Sequence, residues 1–317
     1  MLTALTFAIA LVVGLIATPV VRGLAQRRGL LDQPGGRKVH TTPIPRLGGV
    51  GMVVAAGLAL GTAAIASPDL GSVDGLQPNR VPGMLAGASF LALVGIVDDV
   101  RGMRARVKLS AQIAAALLAW WLGISIESLH LPWGSVSLGW LALPVTVVWI
   151  VGVINAINLI DGLDGLASAV VLTALGAFGV IAAAEGANPT LFIIAATIGA
   201  AVGFLAYNLH PATIIMGDTG AMFLGFIVAV VAISLTQDGA IPIAPWVPII
   251  ALIVPIADTT WAIVRRTARG DPLFEADKGH IHHQLLERGA SHRDAMLILT
   301  AVSAAAAVIA IVVTRIG

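Results

Sequence analysis

The chain has 317 residues, of which 58% are hydrophobic and only 11% charged, with a formal net charge of +1, and its mean hydropathy is +0.95. That is too little polar material to cover a water-soluble globule of this length, so the chain belongs in a bilayer, and no nucleic-acid partner is expected. It contains no cysteine, which excludes disulfides, thiolate metal sites and cysteine nucleophiles.

A hydrocarbon core about 30 Å thick calls for roughly 17 to 25 apolar residues per helix. Uncharged runs of that length fall at 2–21, 47–66, 81–97, 109–126, 138–157, 166–184, 190–207, 220–236, 245–264 and 295–314. The first lacks a basic leading region and exceeds the apolar stretch of a secretory signal, so it is read as a retained helix. The expected fold is an all-α integral membrane protein with about ten transmembrane helices, forming a single polytopic membrane domain over 1–317. The 35 glycines suit close helix packing in lipid. Between the fourth and fifth spans, His130 to Gly139 predicts a short external hairpin, and Trp133 and Trp246 fit an interfacial aromatic belt.

Orientation follows from the basic residues, which are retained on the cytoplasmic side. Sixteen of the 18 Lys and Arg fall in alternate loops, with only Arg80 and Arg315 on the other side. Residues 22–46, 98–108, 155–165, 208–219 and 265–293 are therefore expected to face the cytosol, with both termini outside.

That topology gathers the chemistry-bearing residues at one membrane face. Asp98 and Asp99 close the third span as adjacent carboxylates, which repel unless a cation is shared. Asn155, Asn158, Asp161 and Asp164 recur at every third position leaving the fifth span, an expensive pattern in lipid unless it has a use. A glycine-bearing loop from Asn208 to Gly220 delivers Asp218 and Thr219 to the start of the eighth span, where a helix N-terminus favours phosphate. His280, His282 and His283 lie in the last inner loop among basic residues, a setting that suits an anionic substrate better than zinc. The first inner loop carries Asp32, Lys38, His40 and Arg46; Lys38 and Arg46 are candidate phosphate contacts. Asp258, inside the ninth span, must face the bundle interior or pair with a cation. Acids that can hold a hard divalent cation, beside Lys, Arg and His, describe Mg²⁺-dependent phosphoryl transfer, with Mn²⁺ as the alternative ion.

The segments RKVHTTPIPRLGG (37–49), VDDVRG (97–102), KLSAQ (108–112), NAINLIDGLDGLA (155–167), NLHPATIIMGDTGAMFLG (208–225), PIADT (255–259) and HIHHQLLERG (280–289) carry a resemblance over nearly the full chain. It resembles the polyprenyl-phosphate N-acetylhexosamine-1-phosphate transferases, glycosyltransferase family 4. The resemblance implies transfer of a sugar-1-phosphate from a UDP-sugar to a polyprenyl phosphate, giving a lipid-linked pyrophosphate and UMP, in a bacterial inner membrane. It implies that Asp98 and Asp99 match the paired catalytic acids and Asp218 the Mg²⁺ ligand, with Asp99 helping to hold the metal. Asn155, Asn158, Asp161 and Asp164 look like nucleotide-side contacts, Lys108 a phosphate contact, and His280, His282 and His283 substrate contacts. The spacing His-Ile-His-His and the segment PIPRLGG look like the branch using UDP-N-acetylglucosamine. The muramoyl-pentapeptide branch, which usually shows three consecutive histidines, is the competing reading. A homodimer is compatible with such a chain. A transporter would bury its ionisable groups near the bilayer midplane, which only Asp258 approaches, and a scaffold would not need inner loops dense in Asp, Asn and His.

Overall fold

The structure, a computed structural model, describes residues 1–35, 42–66, 80–184, 186, 188–238, 243–272 and 279–316. Helix α1 (Leu2–Arg27) leads into a two-stranded antiparallel ribbon, β1 (Leu31–Asp32) with β2 (Ile44–Pro45), in the register Leu31 to Pro45. Helices α2 (Gly48–Ala66), α3 (Arg80–Arg101) and α4 (Ala105–Trp121) follow, then the hairpin β3 (Ser128–Leu131) and β4 (Gly134–Ser137). The remaining helices are α5 (Ala142–Ile160), α6 (Leu166–Ala184), α7 (Asn188–Asn208), α8 (Gly217–Asp238), α9 (Trp246–Ala251), α10 (Ile253–Arg269), α11 (Ile281–Glu287) and α12 (His292–Ile316).

Among the described residues, eight helical segments are long and apolar enough to cross a membrane: those built on α1, α2, α3, α5, α6, α7, α8 and α12. The other two expected spans differ from their sequence reading. The fourth, expected over 109–126, is α4, which has 17 residues and starts and stops some four residues earlier. Its end is a Schellman closure: Ile124 N–H donates to Ala119 O, Gly123 N–H donates to Trp120 O, and Gly123 takes a φ of 90°, which glycine adopts without steric cost. The ninth, expected as one helix over 245–264, breaks at Leu252 into α9 and α10. Pro255 has no N–H to donate to the carbonyl of Ala251, so the hydrogen-bond ladder is interrupted there.

Helix α8 is the axis of the bundle. Its most apolar stretch is wholly buried, as expected of a helix that is hydrophobic all round. Helices α2, α3, α5 and α6 pack on it, α1 packs on α7 and α2, α12 packs on α6 and α9, and α10 packs on α5. The outer helices present Leu5, Ile16, Leu58, Leu93, Val148 and Val308 to the surroundings, an apolar exterior suited to lipid rather than water. This is a multi-pass membrane protein.

In lipid, helices associate by close packing more than by hydrophobic expulsion, so small residues mark the tightest crossings. A side chain at Gly95 of α3 would run into the backbone of Thr219 at the start of α8, whereas at Gly57 of α2 it would meet nothing within 4 Å. Overpacking a tight crossing costs about 1–3 kcal/mol. Gly95→Val is therefore expected to lower the thermal unfolding midpoint in detergent well below that of Gly57→Val, which carries the same change in helix propensity. Equal midpoints would show that α3 and α8 are not in this close contact.

Candidate active site

The site is built where the ends of α3, α4, α5 and α8 meet. Asp98 and Asp99 are consecutive residues of α3, about 100° apart around the helix axis, and that angle gives them different neighbours. Both are buried, at 3% and 6% exposure.

Asp99 faces the start of α8. Its Oδ1 accepts the Asp218 N–H at 2.9 Å, and its Oδ2 accepts the Thr219 N–H at 3.1 Å and the Thr219 hydroxyl at 2.6 Å. The first N–H groups of a helix have no partner within it, and a carboxylate at this end also meets the positive pole of the helix dipole. Asp99 thus caps α8 from 119 residues away. Gly217 makes the approach feasible: its φ is 71°, and a Cβ there would lie 2.6 Å from Asp99 Oδ2.

Asp98 faces Lys108 in the first turn of α4, with which it forms an ion pair, and also accepts the Met103 N–H at 2.6 Å. The Lys108 ammonium reaches a second carboxylate, Asp218 Oδ1, at 3.1 Å. Asn158 of α5 donates its amide to the same Asp218 oxygen at 2.8 Å. Asp98 and Asp218 also stand within hydrogen-bonding reach of each other. Asp161, just past the end of α5, completes the group. Desolvation first, and then the negative charges of Asp218, Asp99 and Asp164, push its carboxyl well above the usual range. Asp98 and Asp218 thus share the Lys108 ammonium, with Asp161 near enough to feel the charge of Asp218, and this oxygen-rich set fits a hard divalent cation such as Mg²⁺.

The other sequence candidates are distributed around this centre. Asn155 turns to α4, donating to Gln112 Oε1 at 2.7 Å and to Val151 O at 2.8 Å, so it braces α5 against α4. Arg46 clamps Asp32 through Nε and Nη2, across the β1–β2 ribbon. Lys38 and His40 lie outside the described residues. Asp164 is bonded to His210 and to the Ala212 N–H. The α7–α8 loop is fixed from two sides: Gly48 and Gly49 N–H donate to Ile215 O and Met216 O, and Asn208 holds Gly165 N–H and Ile214 O.

The histidine segment is anchored through two of its rings, His280 on Asp258 of α10 and His282 against Gly162 of the α5–α6 loop. Asp258 faces the interior and accepts from His280 Nδ1 at 2.9 Å and from the Ile281 N–H at 2.8 Å, so it is both inward-facing and partnered, as a buried carboxylate requires. His282 is buried at 2% exposure, with its ring filling the space that Gly162 leaves open, and its ring centroid lies 4.2 Å from that of His283. Burial, then the neighbouring His283, lowers the His282 pKa to about 4. Sequence reasoning singled out no role for Gln112, His210 or His292: Gln112 is one polar residue in an apolar run, and the two histidines sit in expected loops 82 positions apart with nothing local to join them.

The geometry describes a polar, oxygen-rich site at the mouth of a helical bundle. The model for the family described as Glycosyl transferase family 4 matches residues 81–236, the stretch from α3 to α8 that supplies Asp98, Asp99, Lys108, Asn158, Asp161 and Asp218. A Bacillus subtilis (strain 168) protein named probable undecaprenyl-phosphate N-acetylglucosaminyl 1-phosphate transferase is 37% identical over 298 residues, covering 92% of this chain and 80% of that protein. The decaprenyl-phosphate N-acetylglucosaminephosphotransferase of Mycobacterium tuberculosis (strain CDC 1551 / Oshkosh) is 34% identical, covering 92% and 77%. The undecaprenyl-phosphate alpha-N-acetylglucosaminyl 1-phosphate transferase of Escherichia coli (strain K12) is 28% identical, covering 89% and 76%. The chain belongs to glycosyl transferase family 4, and it is a phosphotransferase enzyme of that family.

Two expectations follow from the geometry. Removing Asp99 leaves two backbone donors and a hydroxyl buried without a partner, each costing about 1–3 kcal/mol, while removing Asp98 leaves Lys108 still paired with Asp218. Asp99→Ala should therefore lower the unfolding midpoint in detergent far more than Asp98→Ala, and the reverse order would refute the capping role. At His282 the unfolded chain takes up a proton near pH 6.5 that the folded protein takes up only near pH 4. Stability then falls as pH drops through that window. His282→Gln should flatten this part of the stability curve by up to one proton's slope, and an unchanged curve would assign the titration elsewhere.

Proposed function

We propose that this chain transfers N-acetylglucosamine-1-phosphate from UDP-N-acetylglucosamine to a polyprenyl phosphate, releasing UMP and forming the lipid-linked pyrophosphate that starts a cell-envelope glycan. The observation that carries the reading is Lys108 held between Asp98 and Asp218 where four helix ends converge, a charge arrangement suited to phosphates at the edge of a membrane. The names of the Bacillus, Mycobacterium and Escherichia relatives support the sugar and the lipid class. The Lys and Arg distribution supports a site on the cytoplasmic side with both termini outside, and the bacterial relatives support an inner membrane.

In this reading Asp218 and Asp98 hold Mg²⁺, with Asp161 beside them. The ion, when bound, supplies Lewis-acid neutralisation of the phosphate oxygens. The protein's own residues do the rest. Asp99 is committed to the α8 terminus, so its part is to fix Asp218, while Asp98 positions the acceptor phosphate. Lys108 is the ammonium that can pass from carboxylates to phosphate oxygens, and Asn158 keeps Asp218 in its rotamer. The lipid phosphate attacks the sugar-bearing phosphorus in line; a P–O bond forms to the lipid phosphate, and the bond to the UMP oxygen breaks. A phosphate monoester has a second pKa of about 6, so the nucleophile is mostly ionised at neutral pH and needs little base assistance. Bringing two anions together is the harder task, and preorganised positive charge lowers it.

Purified protein incubated with labelled UDP-N-acetylglucosamine, undecaprenyl phosphate and Mg²⁺ should yield UMP and lipid-linked N-acetylglucosamine, and Asp218→Asn should abolish both. Without lipid, no UMP should form. A burst of UMP equal to enzyme, with label on Asp98, would replace direct attack by a covalent route. Faster formation of a muramoyl-pentapeptide product would move the chain to the other branch.

A further inference from the structure

Outside the set around Lys108, three metal-ligating side chains meet; the family resemblance gives one of them, Asp164, to the nucleotide side and gives the other two no part. Asp164 comes from the α5–α6 loop, His210 from the α7–α8 loop and His292 from the first position of α12. One ligand atom of each lies within 4.8 Å of the others, and among the described residues this is the one group of three or more His, Asp or Glu that meets that test. Asp164 Oδ2 is 2.8 Å from His210 Nδ1 and accepts the Ala212 N–H at 3.1 Å. The His210 and His292 rings are 4.8 Å apart at a tilt of 39°.

An Asp–His ion pair with a second ring stacked on it accounts for His210. It does not account for His292, whose two ring nitrogens are both buried with no hydrogen-bond partner. A buried polar atom left unpaired costs about 1–3 kcal/mol; of the two nitrogens of a neutral ring one is an N–H donor and the other a lone pair, and the lone pair is the one a metal ion beside His292 would satisfy. Two imidazoles and one carboxylate are borderline-soft donors. They suit Zn²⁺ and its neighbours in the transition series, whereas Mg²⁺ takes oxygen ligands.

We propose that Asp164, His210 and His292 form a transition-metal site of the Zn²⁺ class, distinct from the Mg²⁺ position at Asp218. With bonds of about 2.0–2.2 Å, ligand atoms in a tetrahedral site lie roughly 3.3 Å apart. A modest contraction closes the site, and His210, whose side chain is 44% exposed, is free to make it. A solvent molecule completes the fourth position. The ion joins three segments far apart in sequence. One carries Asp161, one leads into Asp218, and the third follows directly on the helix that bears His282 and His283. Binding there ties α12 to both active-site loops and stabilises the chain in their assembled arrangement.

The test uses the full chain in detergent, stripped by chelator and titrated with Co²⁺ in excess Mg²⁺, which saturates oxygen-only sites. The expected result is one Co²⁺ per chain with visible absorption of nitrogen-and-oxygen coordination, displaced by Zn²⁺, and a higher unfolding midpoint with the ion bound. His292→Ala and His210→Ala should each lose the stoichiometric binding and the midpoint shift, while His283→Ala keeps both. His292→Gln, which retains a polar side chain of similar size, should elute as a single folded species and still fail to bind. Absence of saturable binding, binding that survives in folded His292→Gln, or binding lost in His283→Ala but kept in His292→Ala would each overturn the proposal.

Discussion

The rest of the site depends on one contact, the Asp99 carboxylate against the first turn of α8. Helix α8 is the buried axis of the bundle, so the N–H groups at its start have little recourse to water and must find acceptors within the protein. A carboxylate from a neighbouring helix supplies them and adds a favourable interaction with the dipole. The consequence reaches beyond stability, because the same turn carries Asp218. Fixing the start of α8 fixes the one carboxylate that Lys108, Asn158 and Asp98 all approach.

The Asp-Asp pair divides its work through helix geometry. Adjacent residues on a helix point about 100° apart, so one carboxylate can be structural while the next remains available to Lys108. The paired acids turn to different partners, Asp99 to the start of α8 and Asp98 to Lys108, which is why the proposed reading gives the Mg²⁺ position to Asp98 and Asp218 rather than to Asp99. The oxygens around Lys108 bear more negative charge than one ammonium neutralises. Such a centre is held in a state that a cation and an anionic substrate together relieve, which suits a reaction between two phosphates.

The fold was legible in the sequence wherever composition alone decides it. Eight of the expected spans recur as helices, because uncharged runs of that length have few other stable forms in lipid. The two that differ were shifted by local backbone chemistry within apolar runs: Gly123 ends α4 early, and Pro255 splits α9 from α10. The hairpin after α4 was readable from its Pro, Gly and alternation. The clusters were readable too, since polar residues at the mouths of apolar spans stand out. Their individual tasks were not. Asn155 and Asn158 sit in one spaced pattern, yet one braces Gln112 and the other holds Asp218.

By itself, the sequence determined that this chain spans a membrane as helices, that its acids, amides and histidines gather in a few short segments, and which family those segments belong to. The first two follow from hydropathy and local spacing, which act over a few turns of chain, and the third from the resemblance of whole motifs. Only the tertiary structure decided which carboxylate caps α8 and which meets Lys108, that Asp258 is answered by His280, and that Asp164, His210 and His292 come together. Each of these joins residues at least 22 positions apart or selects between neighbours on one helix. Those choices are made by the rotation and packing of whole helices, for which a single sequence carries no local signal.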